Sequence, residues 1–168
     1  VELEILPGAR LHPATPDDAA ELMVLQRCCW VQEALLNNTL EHPALREDLA
    51  EVRESIATWH SWVVRLGHRL VAAVRARADG RAWEIGRLMV APDLAGRGLG
   101  RFLLAHAERE APPETKEYVL FTGAASTRNI ALYEGAGYRR SPLPFPATDH
   151  FRRAVYLVKP RNPDPEPA

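Results

Sequence analysis

The chain has 168 residues, 46% hydrophobic and 26% charged, and its 21 Lys and Arg nearly balance 22 Asp and Glu for a formal charge of -1. One domain of this size buries about 70% of the surface that its unfolded chain exposes, so it needs no staples, and wholesale disorder or a fibrous repeat is excluded. With no block of like charge, a nucleic-acid reader that neutralises phosphates is not expected.

Cys28 and Cys29 are the two cysteines. Adjacent cysteines have poor geometry for a disulfide and lack C-x-x-C zinc spacing, which fits a reducing cytoplasm. No window holds 18 uninterrupted apolar residues, and Val1-Glu2-Leu3-Glu4-Ile5 lacks the order of a signal peptide, so neither membrane association nor export is expected. His12, His42, His60, His68, His106 and His150 show no H-x-x-x-H spacing, and no metal is expected.

Arg10-Leu11-His12 reads as a short strand, and Thr15-Pro16-Asp17-Asp18 supplies the cap and first-turn proline of a helix running to about Cys29. Trp30 to His42 reads as irregular. A second helical pattern lies within Pro43 to Trp59, with Leu45, Leu49, Val52 and Ile56 on one face. Trp62-Val63-Val64 and Leu70 to Val74 form a hairpin through Gly67, and a third strand, Trp83 to Val90, follows Asp79-Gly80 as their antiparallel neighbour. Leu99, Phe102, Leu103 and Ala107 mark a helix that stops before Pro112-Pro113, and Tyr118 to Thr122 is a strand. Thr127 can cap a helix ending near Gly135 or Gly137; strands follow at Tyr138 to Arg140 and Arg153 to Val158. The intervening Ser141–Arg152 segment, with three prolines, reads as a long functional loop. The fold class is α/β (α+β), with one domain over residues 1–159 and a disordered Pro-rich tail over 160–168.

The most informative segment joins Glu84-Ile85-Gly86-Arg87-Leu88-Met89-Val90, through Ala91-Pro92, to Ala95-Gly96-Arg97-Gly98-Leu99-Gly100-Arg101 and a helix. Glycines let several main-chain N–H groups converge, and the helix N-terminus adds about half a positive charge. Together these bind phosphate without a lysine; the simpler reading is a strand-to-helix turn that merely needs glycine. A P-loop lacks its Lys-Ser/Thr here, and Gly96, Gly98 and Gly100 alternate where a dinucleotide fingerprint needs G-x-G-x-x-G.

This segment resembles the acetyl-CoA loop of the GNAT superfamily of N-acetyltransferases, Arg/Gln-x-x-Gly-x-Gly/Ala after a strand ending in Val-x-Pro. Val90-Ala91-Pro92 and the three glycines lie in register, whereas Ala95 replaces the leading Arg/Gln. Asn129-Ile130-Ala131-Leu132-Tyr133-Glu134-Gly135-Ala136-Gly137-Tyr138 is similar to the later Leu-Tyr-x-x-x-Gly-Phe/Tyr motif. The family's Asn, seven residues before the Tyr, is Ser126 here, and Asn129 is four before; both offsets lie on one helix face.

The resemblance covers roughly His12 to Val158. It implies a GNAT fold: a central, mixed, mostly antiparallel twisted sheet with helices on both faces and splayed strands 4 and 5. It also implies acetyl transfer from acetyl-CoA, as co-substrate, to a primary amine of a small molecule or peptide. Acetyl-CoA would be held by Leu88, Met89, Val90, Ala95, Gly96, Arg97, Gly98, Leu99, Gly100, Arg101, Ser126, Asn129 and Tyr133. Glu84 would be the general base, sharing a face with Leu88 and Val90 by strand alternation, and Tyr133 the general acid for the thiolate. The simpler readings are a solvated Glu84 paired with Arg75 or Arg87 and a packed Tyr133; with those, the chain would be a catalytically weak acyl-CoA-binding sensor. The acceptor is expected between Trp30–His42 and the Ser141–Arg152 loop, where Glu33, Glu41, Glu47, Asp48, Glu51 and Glu54 mildly favour a cationic amine. A homodimer is left open.

Overall fold

The computed structural model describes residues 1–144 and 154–161. The strands are β1 (Ala9–Pro13), β2 (His60–Leu66), β3 (Arg69–Asp79), β4 (Ala82–Val90), β5 (Glu117–Gly123), β6 (Arg139–Ser141) and β7 (Ala154–Pro160); β2, β3 and β5 hold runs of consecutive buried apolar residues, as strands covered on both faces do. They form one sheet in the order β1-β2-β3-β4-β5-β7-β6. Every neighbouring pair is antiparallel except β4–β5. The helices are α1 (Ala19–Asn37), α2 (Pro43–Arg46), α3 (Leu49–Thr58), α4 (Leu99–Arg109) and α5 (Thr127–Gly135).

Helix α1 packs on β3, β4 and α3, while α4 covers β3 and β4 from the opposite side. Between them lie Val63, Val64, Val71, Ala72, Leu103 and Leu104, all fully buried. Trp83 points to the α4 side and donates from Nε1 to the Ala107 carbonyl at 2.8 Å, so its indole is buried without an orphan donor. Glu84 and Gly86 face the other side, toward Trp59 at the end of α3.

Two helical expectations need correction. Helix α1 does not stop at Cys29 but continues to Asn37, where Asn38 takes the left-handed conformation at φ 50°. Trp30 to Asn37 contain no helix breaker, but their apolar residues do not share one face: Ala34 is buried and Trp30 packs on the core, while Val31, Leu35 and Leu36 are exposed. The one-sided periodicity that marks an amphipathic helix is therefore missing. The Pro43–Trp59 pattern is two helices, because Asp48 adopts an extended conformation and caps α3. Its side chain accepts from the Glu51 N–H at 2.9 Å, and the Glu51 carboxylate accepts in turn from the Asp48 N–H, a reciprocal capping box. Thr15 and Asp18 build a similar box ahead of α1. The Ser141–Arg152 loop from residue 145 onward, and the tail beyond Arg161, lie outside the described residues.

Glu108 of α4 ties the two halves of the sheet together. Its carboxylate accepts from the Tyr138 hydroxyl at 2.9 Å and from Lys159 Nζ of β7 at 2.7 Å. Tyr138 is fully buried; burial first, and then the Glu108 charge, raise its phenol far above the ordinary range. Tyr138→Phe should cost about 1.5–3 kcal/mol, as for a hydrogen bond to a charged group, measured as a lower denaturant midpoint with unchanged m value. A loss under about 0.5 kcal/mol would mean that Lys159 alone satisfies Glu108.

Candidate active site

Strands β4 and β5 pair only over Ala82↔Glu117, Trp83↔Tyr118 and Glu84↔Val119. Beyond that rung they separate, and the main chain of each faces a cleft where a ladder would otherwise run. On its other side β4 stays paired to β3 with one extra residue: Ala73 opposes Met89 and Arg75 opposes Gly86, so one residue of β3 spans two of β4. This is a β-bulge at Arg87, whose φ is 49°. The bulge reverses the alternation, so the expectation that Glu84 shares a face with Leu88 and Val90 does not hold across it. Arg87 bonds to Glu47 at 2.5 Å and stands 5.4 Å from the Trp30 ring, on the α1 side.

The cleft opens into a cavity of about 900 Å3 lined by β4, β5, α1 and the N-terminal ends of α4 and α5. Leu88, Met89, Val90, Ala95, Gly96, Gly98, Leu99, Gly100, Arg101, Ser126, Asn129 and Tyr133 all reach its wall; Arg97 and Glu84 do not.

At one end sits the glycine turn. Gly96 and Gly98 have φ of 84° and 86°, a region that other residues avoid, and Gly98 is the N-cap of α4. The first N–H groups of α4 have no partner within the helix, and its first turn holds no acidic residue. Gly100 lets α4 approach α5 closely, since a Cβ there would lie 3.5 Å from Leu132 Cδ2. Arg101 and Arg128 both line this end, and Arg128 reaches within 3.6 Å of where a Gly96 Cβ would be. Arg128 has no place in the sequence motif; its contribution comes from α5 standing beside the glycine turn.

The middle of the cavity is built by α5 and the C-terminal half of α1. Tyr133 is buried there, and desolvation, followed by the charge of Glu33, holds its phenol well above the ordinary range, so it stays protonated at neutral pH. Glu33 accepts from the Ser126 hydroxyl and, at 3.1 Å, from Asn129 Nδ2. Asn37 accepts from the Ala125 N–H at 3.1 Å and donates to the Ser126 hydroxyl at 3.1 Å. Ser126, rather than Thr127, occupies the N-cap of α5, but its side chain serves Glu33 instead of the helix. Cys29 also lines the cavity, donating to the Val90 carbonyl, and burial pushes its thiol up to about 11. A thiol so protonated is a poor nucleophile.

Glu84 stands at the last rung before the strands part. Its Oε2 pairs with Arg77 at 2.8 Å, and its side chain is 19% exposed; no other hydrogen bond from a described residue reaches it. The partner is thus Arg77, directly opposite on β3, rather than Arg75 or Arg87. Among the described residues no group of three or more His, Cys, Asp or Glu could hold a metal ion, and no helix is long and apolar enough to cross a membrane.

The fold is shared with solved acetyltransferases. The PaiA N-acetyltransferase from Thermoplasma acidophilum, solved in complex with coenzyme A, superposes with a TM-score of 0.78 at 14% identity, covering 91% of this chain and 99% of that one. An acetyltransferase from Thermus thermophilus gives 0.69 at 20% identity, covering 95% and 100%. The ribosomal-protein-S18-alanine N-acetyltransferase from Escherichia coli gives 0.63 at 18%, covering 94% and 97%. No curated protein matches the chain at significant similarity. The model of the acetyltransferase (GNAT) family matches residues 20–138, a span that contains both the glycine turn and Tyr133, and the chain belongs to that family.

Proposed function

We propose that this protein is an N-acetyltransferase that moves the acetyl group of acetyl-CoA to a primary amine by direct attack on the thioester. The observation that carries this reading is the cavity that joins the glycine turn, the splayed strands and Tyr133. The residues fit the co-substrate along its length. Its diphosphate would meet the free N–H groups of α4 with Arg101 and Arg128, where helix dipole and side-chain charge add. The pantetheine arm would lie between β4 and β5 as a missing strand, bonded to their unpaired main chains. Glu33 would hold Ser126 and Asn129 in place beside that arm.

The amine nitrogen attacks the carbonyl carbon; a C–N bond forms, the C–S bond breaks, one proton leaves the nitrogen and one is needed by the departing sulfur. Tyr133 is the proposed donor to sulfur, being protonated and inside the cavity. Main-chain N–H groups around Leu88, freed by the splay, would polarise the carbonyl. Glu84, at the vertex of the splay but behind the cavity wall, is the proposed base acting through water. The weak acyl-CoA sensor is the less favoured reading, because Tyr133 lines the cavity instead of pointing away from it.

Gly98→Glu should abolish acetyl-CoA binding, measured by calorimetry. A Cβ at Gly98 meets nothing within 4 Å, so the change acts through its charge and through backbone strain of about 1–3 kcal/mol. Gly98→Ala carries the strain alone and separates the two. Unchanged affinity in the glutamate variant would rule out the phosphate cradle.

Tyr133→Phe should lower single-turnover acetyl transfer by about 10²- to 10⁴-fold while acetyl-CoA affinity is kept, because only the transition state uses the proton. Rates within about threefold of wild type, under about 1 kcal/mol, would remove Tyr133 from the chemistry.

Glu84→Gln should slow the reaction by about 10²-fold or more at pH values below the amine's own pKa, with the deficit shrinking as pH rises and the amine arrives unprotonated. A deficit of equal size at every pH would assign Glu84 a purely positional role through Arg77.

A further inference from the structure

Three arginines crowd the α1–α3 side of the sheet where β4 bulges. Arg77 pairs with Glu84 and Arg87 with Glu47. Arg75 has no ion-pair partner among the described residues; it donates to the Ser55 hydroxyl and stacks 4.1 Å from the Trp59 ring. Three guanidinium groups against two carboxylates leave one positive charge in excess. Two donors are moreover buried with nothing to bond among the described residues: Arg75 Nε and Arg87 Nη1. The Arg87 side chain is only 10% exposed.

Such a cluster is expensive unless something anionic completes it, since buried N–H groups are nearly always partnered and an excess buried charge is costly. Desolvation, and then repulsion from Arg87, bring Arg75 down to about 10, so the guanidinium stays charged at neutral pH. Arg75 and Arg87 share the wall of a recess of about 20 Å3 with Gln26, Glu47, Ser55 and Ser61. That is about the room of one water molecule, or of one carboxylate oxygen. Arg87 also belongs to the wall of the large cavity. Met89 is likewise common to the recess and the cavity, and Gly86 on the cavity wall lies next to Arg75, since a Cβ there would stand 4.0 Å from its Nε. The acidic groups that act on Arg75 are the two already counted, Glu47 and Glu84. Glu41 is paired with Arg46, Asp48 and Glu51 cap α3, and Glu33 serves Ser126 and Asn129.

We propose that the acceptor is a small primary amine bearing a carboxylate, and that this carboxylate is received where Arg87 joins the cavity to the recess, with Arg75 in the recess behind it, while the amine reaches the thioester. The inference rests on the transferase reading and specifies its substrate class.

The test is steady-state acetyl transfer to primary amines presented as matched pairs, a carboxylate and its carboxamide, over several chain lengths. Wild type should favour the carboxylate of at least one pair by about tenfold or more in kcat/KM, the size of one charge-assisted hydrogen bond. In Arg75→Met the ratio should collapse to within about twofold, chiefly through KM, and Arg75→Lys should restore part of it. Arg87 is kept, because its removal would strand the Glu47 carboxylate. The wild-type ratio decides even if a variant fails to fold. An enzyme that binds acetyl-CoA but prefers carboxamides, treats the pairs alike or acetylates none of them overturns this inference and leaves the transferase reading standing. A preference that survives Arg75→Met also overturns it. Failure to bind acetyl-CoA overturns both.

Discussion

The parting of β4 from β5 after three rungs is the constraint on which the rest of the structure depends. A parallel pair that continued would satisfy its own N–H and C=O groups and leave nothing for a ligand. The bulge at Arg87 bends β4 away, at a cost of about 1–3 kcal/mol for a non-glycine residue at positive φ. The buried ion pair with Glu47, itself bonded to Gln26 of α1, and the Trp30 ring hold Arg87 in that conformation. Strain in β4 is thus held by α1 and the α2–α3 junction, not by the sheet. The same kink sends Arg87 to the α1 side and leaves the following residues to line the cavity.

Helix α1 has a second duty at its far end. Asn37 takes the place that a side chain on residue 123 would need, since a Cβ there would overlap its amide. Gly123 therefore allows α1 to close against the end of β5, and the Asn37 bonds to Ala125 and Ser126 fix the entry to α5. Glu33, one turn earlier on α1, reaches the same helix at Ser126 and Asn129. One helix thus braces both strands of the cleft: β4 through Gln26 and Trp30, and β5 with α5 through Glu33 and Asn37. Had α1 ended at Cys29, none of the last three residues would be in place.

What could be read in the sequence was local. The glycine turn, the strand before it and the helix after it are each specified by neighbours within a few residues, and the structure places them as expected. The prolines at Pro16 and at Pro112-Pro113 also mark helix boundaries correctly, because proline acts through its own ring and its missing N–H. The far half of α1 was illegible because apolar residues lie on both of its faces: Val31 and Leu35 are exposed, while Trp30, Ala34 and Leu36 line the cleft beside Gln32, Glu33 and Asn37, so no one-sided pattern marks it. The bulge was illegible for a different reason: nothing in Gly86-Arg87-Leu88 demands an extra residue, and only pairing with β3 shows it. Alternation counted through an unseen bulge gives the wrong face, and that misassigned the relation of Glu84 to Leu88. The proposed roles of Arg128 and Arg75 likewise depend on elements far away in sequence.

The charges along the cleft also bear on how the proposed reaction would work. Cationic groups line it: the α4 N-terminus with Arg101 and Arg128 beside the glycine turn, and Arg87, with Arg75 in the recess behind it, beside the bulge. The middle, around Tyr133, holds a protonated phenol and a Glu33 carboxylate already engaged by two donors. Binding an anionic partner at each would leave the reacting centre close to neutral. An amine carried into such a cleft is held less firmly as the ammonium, because desolvation favours the neutral form. Acyl transfer needs that neutral form. Holding the acceptor's carboxylate at the bulge would therefore also ease the loss of the proton that Glu84 is proposed to carry away, and in that reading the positioning of the acceptor and its activation both follow from the same bulge in β4.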